Sequence, residues 1–158
     1  MIQIKDEERK LNNVNGNALG GTMKINGSYS TKESKAKPAI AMNYDVAQVD
    51  IQKTFYAFNT SQKLMPIGKF LSGKLTSVLS ANGKLGENMN IDMNSISGNG
   101  NLFLIEGFLS KFAPLDKIAS VLNVKELQSI SLKDVKTFFE FSNGKLLVKP
   151  FKLKVKNI

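Results

Sequence analysis

The sequence contains no cysteine and no histidine among its 158 residues. Without cysteine, the chain can form neither a disulfide nor a thiolate metal site, and it has no thiol nucleophile. Without histidine, it lacks the commonest general base and the commonest neutral metal ligand. The sequence therefore excludes most metal-centre and acid–base constellations that recur in enzymes.

Long hydrophobic runs are also missing. A membrane-spanning helix needs about 18 or more consecutive apolar residues, and the sequence offers no such stretch. The first ten residues, MIQIKDEERK, are polar and charged. We therefore predict neither a membrane span nor a signal peptide within these residues.

Arginine is nearly absent, because 21 of the 22 basic residues are lysine and only Arg9 is arginine. With 13 acidic residues the formal net charge is +9. Base edges and bidentate phosphate contacts favour the planar guanidinium fork of arginine, whereas lysine acts as a point charge. This composition indicates attraction to anions, including anionic membrane surfaces, and we predict no nucleic-acid partner.

Catalytic motifs are weak. Ser34 and Lys37 match the S-x-x-K spacing of serine–lysine acyl enzymes, but they lie in a polar segment (residues 32–37) predicted to be an exposed loop, without the companion motifs. The glycine-rich GNALGG lacks the Gly-Lys-Ser/Thr ending of a phosphate-binding loop. The carboxylates show no metal-binding spacing, and a catalytic acid pair from distant positions stays open. We predict no enzyme, no metal and no cofactor.

Alternating apolar and polar residues predict about eight strands. The candidate strands are residues 10–14, 22–29, 39–46, 74–80, 89–96, 101–106, 131–141 and 145–155. Asn-Gly pairs favour tight hairpin turns because both residues adopt positive φ readily. Five such pairs predict turns at Asn15-Gly16, Asn26-Gly27, Asn82-Gly83, Asn99-Gly100 and Asn143-Gly144.

Two segments have helical spacing instead. In VDIQKTFYAFNT, Ile51, Phe55 and Phe58 recur at helical intervals, and Asp50 is a candidate N-cap. In GFLSKFAPLDKIASVLNV, Pro114 fits the first position of a helix or a kink after its first turn. The apolar stripe of this second segment is Phe108, Phe112, Leu115, Ala119 and Leu122.

These elements predict one α+β domain over residues 1–158. It consists of a strongly curved, mainly antiparallel sheet of about eight strands, forming a partial barrel or trough, with two helices packed on it or capping it. Such a sheet has a concave apolar face, and an uncovered patch of that face would mark a ligand or partner site.

The last predicted strand changes its apolar face at Pro150. Leu146 and Val148 occupy even positions, whereas Phe151 and the apolar residues after it occupy odd positions. One extra residue at Lys149-Pro150 would form a β-bulge and return both sets to one face. We therefore predict a bend at this point, as a sheet that curls into a trough requires.

The C-terminal third of the chain closely resembles the C-terminal region of the AsmA family of bacterial envelope proteins. A helix with the pattern f.pL.kia..l is matched by Phe112, Pro114, Leu115, Lys117, Ile118, Ala119 and Leu122. The tail that follows is matched by Leu127, Ile130, Leu132, Asp134, Val135, Phe139, Phe141, Asn143, Gly144, Lys145, Val148, Pro150 and Phe151. Upstream, NVNGNALGGTMKINGSY resembles the glycine-rich hairpin of the family, and MPIGKFLSGKL resembles a further segment.

This resemblance implies the periplasmic C-terminal part of a longer protein anchored in the inner membrane. AsmA-like proteins take part in outer-membrane biogenesis and lipid homeostasis, and they look related to TamB-like lipid-transfer proteins with a hydrophobic trough. The partners expected are phospholipid or a membrane surface, and also other envelope proteins. The alternative function is an interaction module that docks a protein partner, or the rest of its own chain, through a sheet edge or apolar patch.

The residues predicted for these roles form two sets. The groove lining is predicted to include Phe103, Ile105, Phe139, Phe141, Phe151, Leu153 and Val155. Contact with lipid head groups is predicted for Lys145, Lys149, Lys152, Lys154 and Lys156, for which the other interpretation is a solvated strand face that discourages edge pairing.

Overall fold

A single antiparallel sheet dominates the computed structural model, which describes residues 1–5 and 7–152. Its eight strands pair in chain order, each with the next. They are β1 (Ile2–Lys5), β2 (Glu8–Ala18), β3 (Gly21–Ser30), β4 (Ala39–Asp50), β5 (Leu71–Leu85), β6 (Ile91–Ser110), β7 (Ser129–Ser142) and β8 (Lys145–Val148). The predicted α+β class with an antiparallel sheet is confirmed.

Two connections between strands are helical. Between β4 and β5 lie α1 (Ile51–Ala57), α2 (Asn59–Leu64) and a 3-10 helix (Pro66–Phe70). Between β6 and β7 lie α3 (Ala113–Leu122) and a second 3-10 helix (Lys125–Gln128). A third 3-10 helix, Glu87–Met89, joins β5 to β6.

The first helix begins where the sequence predicts. The Asp50 carboxylate accepts a hydrogen bond of 2.8 Å from the backbone N–H of Lys53, so the predicted N-cap is confirmed. In the second helical segment Pro114 lies in the first turn of α3, where its missing N–H has no intrahelical partner to lose. Phe108 was wrongly assigned to this stripe, because it belongs to β6. Leu122 lies in α3 as predicted, and it is 61% exposed.

Most of the predicted Asn-Gly turns were wrong. Only Asn143-Gly144 forms a hairpin turn, with φ of 51° and 72°. The other four pairs lie inside β2, β3, β5 and β6. The reason is that long-range pairing across a wide sheet outweighs the local preference of a dipeptide. The predicted strands 89–96 and 101–106 are consequently one continuous strand, β6.

Register places the apolar side chains in rows that cross the sheet. The central row is Ile25, Tyr44, Leu79, Gly100 and Phe139, each directly opposite the next. Residues in direct opposition point to the same side of a sheet, so this row defines one face, which we call the apolar face. Their sequence neighbours form the row Asn26, Asn43, Ser80, Asn99 and Glu140 on the other side, the polar face.

Chain direction brings the two helical connections together. Because β4 and β6 run in the same direction and β5 and β7 run in the opposite one, both connections lie at the same end of the sheet. We call segments 51–70 and 111–128 the helical end. There Ile51 belongs to a buried core with Leu104, Ile130, Leu132 and Val135.

The last strand ends earlier than the sequence predicts. β8 pairs with β7 only from Lys145 to Val148. The N–H of Lys149 still donates to the carbonyl of Phe138 (2.8 Å), and then Pro150, which has no N–H to donate, follows. The predicted bulge is absent up to Phe151, which lies outside any strand and is 42% exposed. Leu153 and Val155 lie outside the described residues.

Candidate functional site

The apolar face is covered at the helical end. Leu115 of α3 and Leu127 of the following 3-10 helix pack against the core that contains Leu104 and Val135. Val49, at the end of β4, is 1% exposed. This half of the apolar face therefore forms the hydrophobic core of the domain.

The other half of the apolar face is only partly buried. Beyond the central row lies a second row, which we call the distal row: Gly27, Met42, Ala81, Gly98, Phe141 and Leu146. Met42 is 44% exposed, and Phe141 and Leu146 are half-buried. Since both helical connections depart from the opposite end of the strands, neither lies over the distal row.

Small residues shape the distal row. Ala81 and Gly98 are neighbours between the larger side chains of Met42 and Phe141, and Gly27 lies on the other side of Met42. A Cβ added at Gly98 would lie 2.9 Å from the Cβ of Ala81, so the two residues pack closely. The row thus has a low floor between bulkier apolar side chains, as a groove requires.

Two of the predicted groove residues lie on the apolar face. Phe139 belongs to the central row and Phe141 to the distal row, with ring centroids 6.1 Å apart in an edge-to-face arrangement. Phe139 is 8% exposed and Phe141 is half-buried. Phe141 is therefore accessible to a ligand, and Phe139 lies beneath the surface.

Two other predicted groove residues lie on the polar face. Phe103 is directly opposite Lys136, whose Nζ lies 4.9 Å from the centre of the Phe103 ring. Ile105 is 47% exposed, two residues further along β6. The structure therefore does not bring the predicted lining residues together on one surface.

Only some of the lysines predicted to contact lipid head groups lie within the described residues. Lys145, Lys149 and Lys152 are exposed, whereas Lys154 and Lys156 lie outside the described residues. Lys145 begins β8 next to the Asn143-Gly144 turn, at the end of the sheet opposite the helices. Lys145 therefore borders the distal half of the sheet. Lys149 and Lys152 follow β8 toward the helical end, because β8 runs in the same direction as β4 and β6.

Sequence reasoning missed the contribution of β3 and β4 to the apolar face. Ile25, Tyr29 and Ile40 are half-buried there, along with Met42 of the distal row. Their alternation within the predicted strands 22–29 and 39–46 was visible. The signal was overlooked because aromatic residues concentrate elsewhere in the sequence.

A short chain of hydrogen bonds crosses the apolar face. The hydroxyls of Tyr44 and Ser77 lie 3.2 Å apart, and Ser77 donates to the carbonyl of Asn101 at 2.7 Å. Ser77 is 1% exposed, so its hydroxyl needs this partner. Burial raises the pKa of Tyr44, and its hydrogen bond with Ser77 opposes that rise only in part.

The serine–lysine motif of the sequence lies in a turn. The Ser34 hydroxyl accepts a hydrogen bond from the backbone N–H of Lys37 (3.0 Å), which is a structural turn contact. In the described part of the chain, no three acidic side chains come close enough together to hold a metal ion. An open depression beside the β2–β3 hairpin is lined by Asn15, Gly16, Asn17, Thr22, Met23, Lys24 and Asp45.

Comparisons with known proteins found no match. No family model, curated protein or solved structure matches the chain. Within the described residues, none of the helices combines the length and the apolar character that crossing a bilayer demands.

Proposed function

We propose that the chain is a non-enzymatic, AsmA-like domain of the bacterial periplasm that handles phospholipid through its apolar face. In this proposal it is part of a longer protein anchored in the inner membrane, and it contributes to outer-membrane biogenesis. The observation that carries the proposal is the division of the apolar face. Helices bury one half, while the distal row stays half-exposed.

The dimensions of the distal row suit an acyl chain. Six strands contribute to it, so it crosses five strand spacings of about 4.8 Å each, or about 24 Å. One leaflet of a bilayer offers its acyl chains about 15 Å of hydrocarbon depth. The row is therefore long enough for an extended chain, which would lie over the low floor at Ala81 and Gly98 and against the side chains of Met42 and Phe141.

Lysines along β8 supply the complementary charge. Lys145 lies beside Leu146 of the distal row, and Lys149 follows the strand at the level of Phe138, next to the central row. Each lysine near an anionic lipid surface contributes on the order of 1 kcal/mol. In the proposed complex they contact the head group, while the acyl chain lies on the apolar face.

Photo-crosslinking at adjacent positions tests the proposal. Met42 lies on the apolar face and Asn43 on the polar face, and both are exposed. A photo-reactive amino acid at position 42 is expected to form a covalent adduct with phospholipid during purification from bacterial membranes. The same amino acid at position 43 serves as the matched control and is expected to form none.

Mass spectrometry of the intact protein reads out both variants. An adduct with the mass of a phospholipid at position 42 alone supports the proposal. Equal labelling at both positions would indicate non-specific contact and overturn it, and so would the lack of any adduct at position 42.

The second candidate function is docking of a protein segment on the edge of β7. β8 covers β7 only from Phe139 to Ser142, and Lys149 adds one further hydrogen bond to Phe138. Among the described residues, the stretch 129–136 therefore has a strand neighbour on the β6 side alone. An edge that the described residues leave open over this length is a template for an added strand.

Hydrogen exchange distinguishes this candidate from lipid binding. A strand added by the rest of the parent protein is expected to slow exchange of backbone amides in 129–136, whereas bound lipid is expected to protect residues around the distal row. If the backbone amides of 129–136 exchange at the same rate in this chain and in the longer parent protein, edge docking by the parent is excluded.

A further inference from the structure

The helical end carries exposed apolar side chains in addition to those that pack into the core. α3 has apolar side chains on two sides. Leu115 and Ala119 face the core, whereas Ile118, Val121 and Leu122 are 47%, 84% and 61% exposed. The exposed three recur at i, i+3 and i+4, so they form one stripe along the outer side of the helix. Nothing in the core accounts for this second stripe.

The β4–β5 connection adds similar side chains. Tyr56, Phe58 and Ile67 are 60%, 46% and 39% exposed. The two connections touch each other, because the rings of Phe70 and Phe112 are 5.5 Å apart between centroids. The exposed apolar side chains of both connections thus belong to the same end of the molecule.

Lysines accompany this apolar surface. The two connections, 51–70 and 111–128, contain six lysines and only two acidic residues. The six are Lys53, Lys63, Lys69, Lys111, Lys117 and Lys125, all of them exposed. Among the side chains that the structure describes, which do not include Glu126, ion pairs join only Glu8 with Lys10 and Lys32, and Glu106 with Lys133.

We infer that the helical end docks on the surface of an anionic phospholipid bilayer. A helix with exposed apolar side chains and neighbouring lysines lies in the interface between head groups and acyl chains. Long lysine side chains reach the head groups while their aliphatic stems stay in apolar surroundings. The excess of lysine selects an anionic membrane as the occupant of this surface. The inference does not depend on lipid binding along the distal row.

Vesicle flotation measures the docking directly. The intact chain is mixed with vesicles made of equal parts phosphatidylcholine and phosphatidylglycerol, or of phosphatidylcholine alone. Binding to the anionic vesicles is expected, with a steep loss in high salt because screening weakens the lysine contribution. Equal binding to both vesicle types would overturn the choice of an anionic surface, and no binding to either would overturn the docking.

Replacement of an exposed apolar residue of α3 by a charged one, with a matched control, locates the contact. Val121→Glu places a charge in the exposed stripe of α3 and is expected to lower vesicle partitioning by roughly tenfold or more. Phe138→Glu alters a residue that is 63% exposed on the polar face of the sheet, and it is expected to leave partitioning unchanged. The opposite result would assign the contact to the sheet and overturn the inference.

A pair of triple lysine variants separates the two charged regions. Replacement of Lys63, Lys69 and Lys117 by Gln is expected to reduce partitioning by roughly one to two orders of magnitude. Replacement of Lys35, Lys37 and Lys84 by Gln removes the same charge from the end of the sheet opposite the helices and is expected to change partitioning much less. Equal losses in both variants would mean that net charge alone drives binding, which contradicts docking through the helical end.

The crosslink at position 42 keeps this inference distinct from the proposed function. If Val121→Glu abolishes flotation while lipid still crosslinks at position 42, docking and lipid binding are separate properties. If the unsubstituted chain floats with anionic vesicles and no crosslink forms at position 42, the docking stands and the proposed function fails.

Discussion

The ring of Phe139 on β7 lies across the backbone of Gly100 on β6. The two residues are directly opposite each other, and a Cβ added at Gly100 would lie 2.6 Å from Cζ of Phe139. The same Cβ would also collide with the carbonyl oxygen of Val78. Gly100 therefore supplies the space in which an aromatic side chain of the central row is buried.

Gly100→Ala is expected to destabilise the fold by about 1–3 kcal/mol, because the added methyl group overpacks a site bounded by backbone on one side. Urea unfolding measures the change in the free energy of unfolding. Gly16→Ala is the control, since a Cβ at Gly16 has no other atom within 4 Å. A loss at Gly16 as large as the loss at Gly100 would show that glycine in a strand, and not the Phe139 ring, is responsible.

Asp50→Ala is expected to cost about 1 kcal/mol of stability, because it removes the acceptor for the backbone N–H of Lys53. Asp50→Asn retains a side-chain oxygen that can accept this hydrogen bond, so it is expected to preserve most of the stability. Equal destabilisation by both substitutions, measured by thermal unfolding, would assign the effect to the negative charge and not to the cap.

Tyr44 is expected to ionise at higher pH than a tyrosine in the unfolded chain, since burial raises its pKa above the ordinary 10.0. Between the folded and the unfolded pKa of Tyr44, the folded state holds a proton that the unfolded state has released, so stability falls as the pH rises above about 10. Ultraviolet absorbance of tyrosinate measures the ionisation. Tyr44→Phe should remove the raised step of the titration, whereas Tyr56→Phe, at an exposed position, should leave that step in place.

Glu8 is expected to titrate below its ordinary range, because a hydrogen bond from Lys32 lowers the pKa of its carboxyl group. The Lys32 Nζ lies 3.0 Å from one carboxylate oxygen, and the Lys10 Nζ lies 3.6 Å from the other. NMR titration of the carboxyl carbon should therefore show a larger upward shift of the pKa in Lys32→Gln than in Lys10→Gln. The reverse order would show that Lys10 is the dominant partner.

Local patterns predicted those elements whose stability depends on neighbouring residues in the chain. The spacing of Ile51 and Phe55, together with the short carboxylate of Asp50, predicted a helix and its first residue, because a cap and a helical turn are short-range interactions. The single correct hairpin, Asn143-Gly144, joins β7 to the four-residue strand β8, whose pairing partners are close in the sequence. At Asn26-Gly27 and Asn99-Gly100 the chain instead stays extended, since both neighbouring strands supply hydrogen-bond partners there.

The candidate site was predicted only in part, for a similar reason. In the run NLFLIE, four consecutive apolar residues leave the alternation of faces undetermined. Pairing decides the question, because Leu102 lies opposite Thr137 on the apolar face and Phe103 lies opposite Lys136 on the polar face. The adjacent residues Phe138 and Phe139 likewise lie on opposite faces of the sheet, where 63% and 8% of their surfaces are exposed.

The sequence by itself determined the class of the protein: an α+β chain rich in lysine, without the residues of common catalytic centres, whose strands alternate apolar and polar positions. Tertiary structure alone decided which apolar residues share a surface. Register aligned Met42 with Phe141 in the distal row, and chain direction placed both helical connections at the other end. The physical reason is that a side chain's face depends on strand partners distant in sequence, which no local pattern specifies.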